Sequence, residues 1–438
     1  MLEVLPLGGL GEVGRNMTAV SFGDGYVVVD MGVRLDAIQA FEDANLANMS
    51  LQELVKINAI PDDSPLRKEK VKAVFLTHGH LDHIGAVGKL IRPYRAPLYG
   101  TPFTLELVRR LVLEENERRV EMVRVRPGER VEVGDLEVEF LPANHSIPQT
   151  VFLLLRQGEH SLLFATDFKL DENPLVGPPT DLGELRRRVG EDLEAALVGT
   201  VRVDEPGPTR SEGRAREMLE ETMRRVERKG KALLVTTFSS HLVRIKSIVE
   251  ISEELGRIPV LVGRSMKNYF SAAAELNLIS FPPDLPVYGT PGTIKKFLKK
   301  ANGSRGDYVL ICTGHQGEPT SVLSKIADRK LPFRIEDDDQ VIFSASVIPN
   351  PINQNHRSLL ETKLLVQGAR IHRDVHVSGH AARVDTAEFL RALSPRHLLP
   401  CHGTPEKLEA MMELGRELGY GRENLHLLEN GHPLRLGG

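Results

Sequence analysis

With 438 residues, 41% of them hydrophobic, 26% charged and 5% aromatic, and a formal net charge of −4, the chain has a globular balance and is too long for one ordinary core, so two domains are expected. No stretch stays apolar for the roughly 20 residues of a membrane span and Met1-Leu2-Glu3-Val4-Leu5-Pro6 does not read as a leader, which predicts a cytoplasmic protein without membrane contact. The charge excludes a surface positive throughout but leaves room for a basic groove, and two distant cysteines, Cys312 and Cys401, exclude a disulfide framework.

The opening Leu7-Gly8-Gly9-Leu10-Gly11-Glu12-Val13-Gly14 is glycine-rich after a short strand. A second strand, Met17-Thr18-Ala19-Val20-Ser21-Phe22, follows where a dinucleotide fingerprint would need a helix, so that reading fails. A third strand, Tyr26-Val27-Val28-Val29, ends at Asp30, which fits a turn-forming acid or a group near a site. Residues 36–63 are less regular, with a short helix predicted over Leu51-Gln52-Glu53-Leu54-Val55. Val71-Lys72-Ala73-Val74-Phe75-Leu76 then reads as a buried strand, and directly behind it stands Thr77-His78-Gly79-His80-Leu81-Asp82-His83. At a strand end the chain turns, so these side chains can converge on one point. A lone histidine there would be ordinary. Three beside an aspartate are a metal site, because imidazole nitrogen and carboxylate oxygen suit Zn²⁺ and also accept Mn²⁺.

A helix is predicted over residues 84–90, and another from Thr101-Pro102 through Arg110 and Glu114, with proline at its first turn. Val131-Glu132-Val133 and Leu136-Glu137-Val138-Glu139-Phe140 form a hairpin around Gly134-Asp135. Two more strands end in ligand-type residues, His145 and Asp167. Each alone reads equally as structural; together they supply the further imidazole and the bridging carboxylate that two adjacent cations need. From about Glu205 to Ile371 helices alternate with buried strands, which predicts an α/β unit with a mostly parallel sheet. Asp374-Val375-His376-Val377-Ser378-Gly379-His380 is then expected to be a strand ending in histidine, and His397–Thr404 a second. A helix follows Pro405, with a hairpin-like stretch over residues 425–436. The late return of histidine-ending strands predicts a domain inserted into another: residues 1–204 and 372–438 form one, and residues 205–371 the other.

The ordered motifs resemble those of the metallo-β-lactamase fold with a β-CASP insertion, most closely the short ribonuclease J proteins of archaea. His78-Gly79-His80-Leu81-Asp82-His83, His145 in Asn144-His145-Ser146, Asp167 in Thr166-Asp167-Phe168, His380 in Ser378-Gly379-His380 and His402 in Cys401-His402-Gly403 carry the resemblance. Thr237-Phe238-Ser239-Ser240-His241 and Thr313-Gly314-His315-Gln316-Gly317-Glu318-Pro319 extend it over nearly the whole chain. It implies an αββα sandwich with an inserted α/β domain, and two divalent cations, Zn²⁺ with Mn²⁺ also accepted. One cation would be held by His78, His80 and His145 and the other by Asp82, His83 and His402, with Asp167 bridging. Asp82, Asp167 and His380 would be the catalytic residues, His380 serving the leaving group. Ser239, Ser240, His241, Ser378, Gly379 and His380 would contact RNA phosphates. The implied activity is 5′-to-3′ exonucleolysis of single-stranded RNA with a 5′-monophosphate, by a homodimer. Arg186-Arg187-Arg188, Arg224-Arg225 with Arg228-Lys229, and Lys299-Lys300 through Arg305 would line an approach path or be solvated helix faces.

An endonuclease would use the same metals. A small-substrate hydrolase explains the metal residues but not the insertion, and a silent RNA-binding subunit leaves the complete ligand set without a purpose. One departure concerns the family's acidic motif, Ser-Asp-Ser-Thr-Asn: here Val198-Gly199-Thr200-Val201-Arg202 puts Gly199 at the acid's place, with Asp204 the nearest substitute.

Overall fold

The protein is described by a computed structural model covering residues 1–39, 49–112 and 120–437. The predicted helix end at Glu114 and part of the irregular segment over residues 36–63 lie outside these. The chain forms two compact units, one of residues 1–172, 179–209 and 379–438, the other of residues 173–178 and 210–378. Among the described residues no helix is long and apolar enough to cross a membrane.

The first unit stacks two sheets. One runs in the order Leu434–Leu436, Leu2–Gly8, Met17–Ser21, Tyr26–Val29, Val71–Phe75, Leu98–Gly100, Met122–Arg124, and the other His397–Cys401, Ala195–Gly199, His160–Ala165, Val151–Gln157, Leu136–Pro142, Arg130–Val133. Successive side chains of a strand point to opposite faces, so each strand feeds two layers. Val27, Val29, Phe75, Phe140, Leu153, Phe164, Leu197 and Leu399 form the core between the sheets. Their neighbours Leu141, Phe152, Leu154, Leu163 and Val198 face outward, under the helices Leu182–Val189, Arg383–Leu393 and Pro405–Glu417. Burial of such large apolar side chains is worth about 1.5–3 kcal/mol each.

The parallel pairings place the chemistry. Tyr26–Val29 runs parallel to Val71–Phe75, and Ala195–Gly199 lies parallel between His160–Ala165 and His397–Cys401. Residues just past these strands therefore gather at carboxyl ends, where open α/β sheets place their sites. Asp30, Thr77, His78, Asp167 and His402 are such residues.

In the second unit all pairings are parallel, in the order Val287–Tyr288, Ile258–Val262, Tyr308–Cys312, Leu233–Thr236, Gln340–Phe343, Arg370–His372. Both faces of the central strands are buried, which is why they read as unbroken apolar runs.

Several local expectations are corrected. The helix expected from residue 84 starts earlier, as Leu81–Ile84 with His80 at its N-cap, and a separate turn, Val87–Leu90, follows. Residues 373–378 form no ladder. Their alternating apolar side chains reflect burial, and the carbonyls of Val375 and Val377 accept instead from Ser344 Oγ at 2.7 Å and Arg244 Nη2 at 3.3 Å. The C-terminal stretch is not a hairpin: Leu434–Leu436 pairs antiparallel with Leu2–Val4. The unit boundaries fall at 209/210 and 378/379 rather than 204/205 and 371/372. Glu205, Gly207 and Thr209 bond to Arg383, Val384 and Asp385 and so stay with the first unit, while residues 373–378 are fastened to the second.

Candidate metal centre

Asp30 organises the approach. It ends its strand in the left-handed region (φ 61°), is 1% exposed, and accepts from Thr77 N at 2.9 Å and Thr77 Oγ1 at 2.8 Å. This fixes the strand end from which His78 departs. The following loop then laces onto the histidine motif: Met31 N donates to His83 O at 2.8 Å and Val33 N to Leu81 O at 3.0 Å. Gly32 permits that approach, because a Cβ there would stand 1.6 Å from Asp82 O. Asn16 Nδ2 donates to Asp82 O at 3.0 Å.

Two donor groups result, His78, His80, His145 and Asp167, and Asp82, His83, His402 and Asp167. In the first, His80 Nδ1 lies 3.1 Å from His78 Nε2 and 3.3 Å from His145 Nε2, and Asp167 Oδ2 lies 3.4 and 3.6 Å from those two ring nitrogens. In the second, Asp82 Oδ2 is 3.7 Å from His83 Nε2 and 3.5 Å from His402 Nε2, while Asp167 reaches the same nitrogens at 3.4 Å through Oδ2 and Oδ1 respectively. Four donors about 2.0–2.1 Å from one tetrahedral Zn²⁺ stand about 3.3 Å apart, so these spacings suit a cation in each group. A second observation agrees. Asp167 Oδ1 is buried with no hydrogen-bond partner among the described residues, an acceptor that a cation would satisfy.

The outer nitrogens orient the rings. His83 Nδ1 meets Asp30 Oδ2 at 2.7 Å, His145 Nδ1 meets the Gly379 carbonyl at 2.7 Å, and His78 Nδ1 meets Thr77 Oγ1 at 3.0 Å. His402 Nδ1 is buried and has no hydrogen-bond partner among the described residues. Burial, then the neighbouring imidazoles His78 and His145, holds His80 well below its ordinary pKa; burial, then His380, does the same for His145. Both are thus kept in the neutral, ligating form. Burial would also lower His83, but the Asp30, Asp167 and Asp82 carboxylates outweigh it and hold the ring well above its ordinary value. Burial would raise Asp167, yet His402, His83 and His380 keep it well below the usual range.

His380 stands at the rim. Its ring is 4.8 Å from that of His145, and its Nδ1 is 3.9 Å from Asp167 Oδ1. The side chains of His380 and Asp82 are each 26% exposed, against at most 1% for His78, His83, His145, His402 and Asp167. Burial pushes His380 down to about 4.

The other proposed contacts divide between the units. Gly379 belongs with His145, whereas Ser239, Ser240, His241 and Ser378 belong to the second unit. There Ser239 Oγ lies 2.9 Å from Ser265 Oγ, and His241 Nε2 lies 3.4 Å from Glu212 Oε2. Asp204 is no substitute for the missing acid, being paired at the surface with Lys407 Nζ at 2.7 Å. Position 199 has no room for one either: a Cβ would stand 1.6 Å from Thr166 O. Sequence reasoning left Asp30 open and passed over Thr77 and Asn16; the available signal was that all three flank strand ends neighbouring the histidine motif.

Comparison with known proteins agrees along the chain. Family models match residues 53–228 (beta-lactamase superfamily domain), residues 230–359 (ribonuclease J, beta-CASP domain) and residues 368–427 (Zn-dependent metallo-hydrolase RNA specificity domain). Similar relatives include a ribonuclease J of Methanocaldococcus jannaschii, 40% identical over 99% of this chain and 98% of its own, and one of Pyrococcus abyssi, 39% identical over 100% and 98%. A crystal structure of a protein of unknown function from Enterococcus faecalis V583 shares the fold, with a TM-score of 0.68 at 19% identity over 99% of this chain and 100% of that one. With two archaeal relatives matched end to end and the metallo-β-lactamase and β-CASP parts each matched in place, the chain belongs to the ribonuclease J family.

Proposed function

We propose that this protein is a metal-dependent ribonuclease that shortens single-stranded RNA from its 5′ end and favours a 5′-monophosphate. The observation that carries the reading is a single buried carboxylate, Asp167, shared by two donor groups at an edge where Asp82 and His380 reach solvent. Two divalent cations, Zn²⁺ or Mn²⁺, would there lower the pKa of a water and offset charge on the attacked phosphate. The protein's own residues do the rest. Asp30 and Thr77 hold His83 and His78 in ligating orientation, and the Gly379 carbonyl holds His145. His380, at the rim, donates to a phosphate oxygen or to the leaving oxygen. Family resemblance supports Ser239, Ser240, His241, Ser378, Gly379 and His380 as contacts to RNA phosphates, and a seat for the terminal 5′-phosphate would set the direction of attack. The names of the relatives, ribonuclease J in archaea and bacteria alike, support the substrate class, and family resemblance supports a homodimer.

The test incubates the protein with 5′-monophosphate and 5′-triphosphate forms of one 3′-labelled RNA, with Zn²⁺ or Mn²⁺ and with chelator. Progressive shortening of the monophosphate form, abolished by chelator, is expected. Internal products independent of the 5′ group would make it an endonuclease, and binding without products a silent subunit.

A further inference from the structure

The second unit carries a run of cations most of which no acid answers among the described residues. Residues 256–306 contain eight Lys and Arg against two acids, Glu275 and Asp284, a net of +6 in a chain of net −4. Two of the eight are internal: Arg257 pairs with Glu227 at 2.6 Å and Arg305 with Asp339 at 2.8 Å. The other six, Arg264, Lys267, Lys295, Lys296, Lys299 and Lys300, are exposed, and among the described residues their side chains make no ion pair or hydrogen bond. The other basic stretches are partly paired, with Arg186, Arg225 and Lys229 making no ion pair among the described residues. Arg187 pairs with Glu184, Arg188 with Glu139, and Arg224 with both Glu220 and Glu254.

The six form a row. The helix Pro291–Gly303 buries Ile294, Phe297, Leu298 and Ala301 and so turns its four lysines outward together. Lys295 and Lys299 are one turn apart, with a rise of about 6 Å between them. Lys267 joins this helix to the preceding one, Arg264–Glu275: its stem lies over Gly289, where a Cβ would stand 2.5 Å from Lys267 Cδ. Arg264 begins that preceding helix, and the adjacent Ser265 Oγ meets Ser239 Oγ at 2.9 Å. The row thus starts beside Ser239 and follows Val287–Tyr288, the edge strand of the sheet. Tyr288 is stacked on Phe297 at 4.6 Å, so at this edge the row offers charge rather than a free aromatic face.

We propose that this row is a track for the sugar-phosphate backbone of single-stranded RNA, carrying the nucleotides beyond those held at Ser239. It rests on the ribonuclease reading for its occupant. Repeated unpaired cations match a polyanion in charge, and phosphate contacts alone give sequence-independent binding whose strength falls with salt.

The test measures binding of a 3′-labelled single-stranded RNA of about 20 nucleotides to the full-length protein in chelator, across a salt series. The wild type is compared with the combined variant Lys295→Gln, Lys296→Gln, Lys299→Gln, Lys300→Gln, glutamine keeping helix propensity. Each lost phosphate contact lowers the slope of log K against log salt by about 0.7, so the variant should lose about 2–3 from the slope and about tenfold or more in affinity at low salt. An unchanged slope and affinity would overturn the track. So would a loss confined to polyglutamate of similar charge, which would reassign the row to an acidic polypeptide. Hydrolysis by the wild type is read in parallel with Zn²⁺ or Mn²⁺ in place of chelator. A wild type that binds with the steep slope but never cleaves defeats the ribonuclease reading and leaves the track standing.

Discussion

His402 differs from the other oriented imidazoles of the two donor groups in what stands behind it. His83 leans on the Asp30 carboxylate, His145 on a backbone carbonyl and His78 on Thr77, whereas His402 Nδ1 is buried without a partner among the described residues. An outer partner fixes the ring and raises its basicity, and losing one typically costs about 10–100-fold in metal affinity. The group of Asp82, His83 and His402 should therefore give up its cation first. Titrating loaded protein with chelator and counting bound metal should show one equivalent leaving at a chelator concentration about tenfold or more below that needed for the second; simultaneous loss would refute the inequality. The ligand types were legible in the sequence because six residues, His78 to His83, carry two donors of each group. Their supports were not: Asp30 lies 53 positions from His83, and Gly379 lies 234 from His145.

At the scale of elements, one side chain fastens both chain segments that lead into and out of the second unit. Arg244, on the helix Leu242–Glu254, is fully buried; it bonds Glu212, the first residue of the helix Glu212–Val226, at 2.5 and 2.9 Å, and Val377 O at 3.3 Å. Burial would raise the Glu212 pKa, but His241 and Arg244 outweigh it and hold the carboxyl well below its ordinary value of 4.5. A depressed folded pKa adds stability that is complete above the unfolded value and fades as pH falls toward the folded one. Glu212→Gln strands the buried guanidinium and should cost about 3–5 kcal/mol at pH 7. The gap to wild type should begin to close below pH 4.5, as the unfolded carboxyl takes up its proton. Urea unfolding at neutral and acid pH checks both, and equal stability at pH 7 would reject the role. This anchoring also explains a misread element. Val375 and Val377 alternate like a strand, but the alternation records burial, and ladder partners cannot be read from a pattern that burial alone produces.

For the whole molecule, the sequence showed an insertion because histidine-bearing segments return after residue 372, but it could not show which unit the connecting residues join. The two units depend differently on chain continuity. Both sheets of the first unit include C-terminal strands, His397–Cys401 and Leu434–Leu436, and its second donor group is incomplete until His402 is in place. The second unit completes its sheet within residues 233–372 and has its own core, including Leu234, Val260, Leu310, Val341 and Phe343. A segment with a self-contained sheet and core should fold alone. Residues 210–378 expressed by themselves are expected to melt cooperatively by circular dichroism and to bind no divalent cation in calorimetry. Residues 1–209 lack an edge strand from each sheet as well as His402, and should bind fewer than two equivalents. A second equivalent on that fragment, or an unfolded 210–378, would mean that the two units share a folding dependence that their separate sheets and cores do not express.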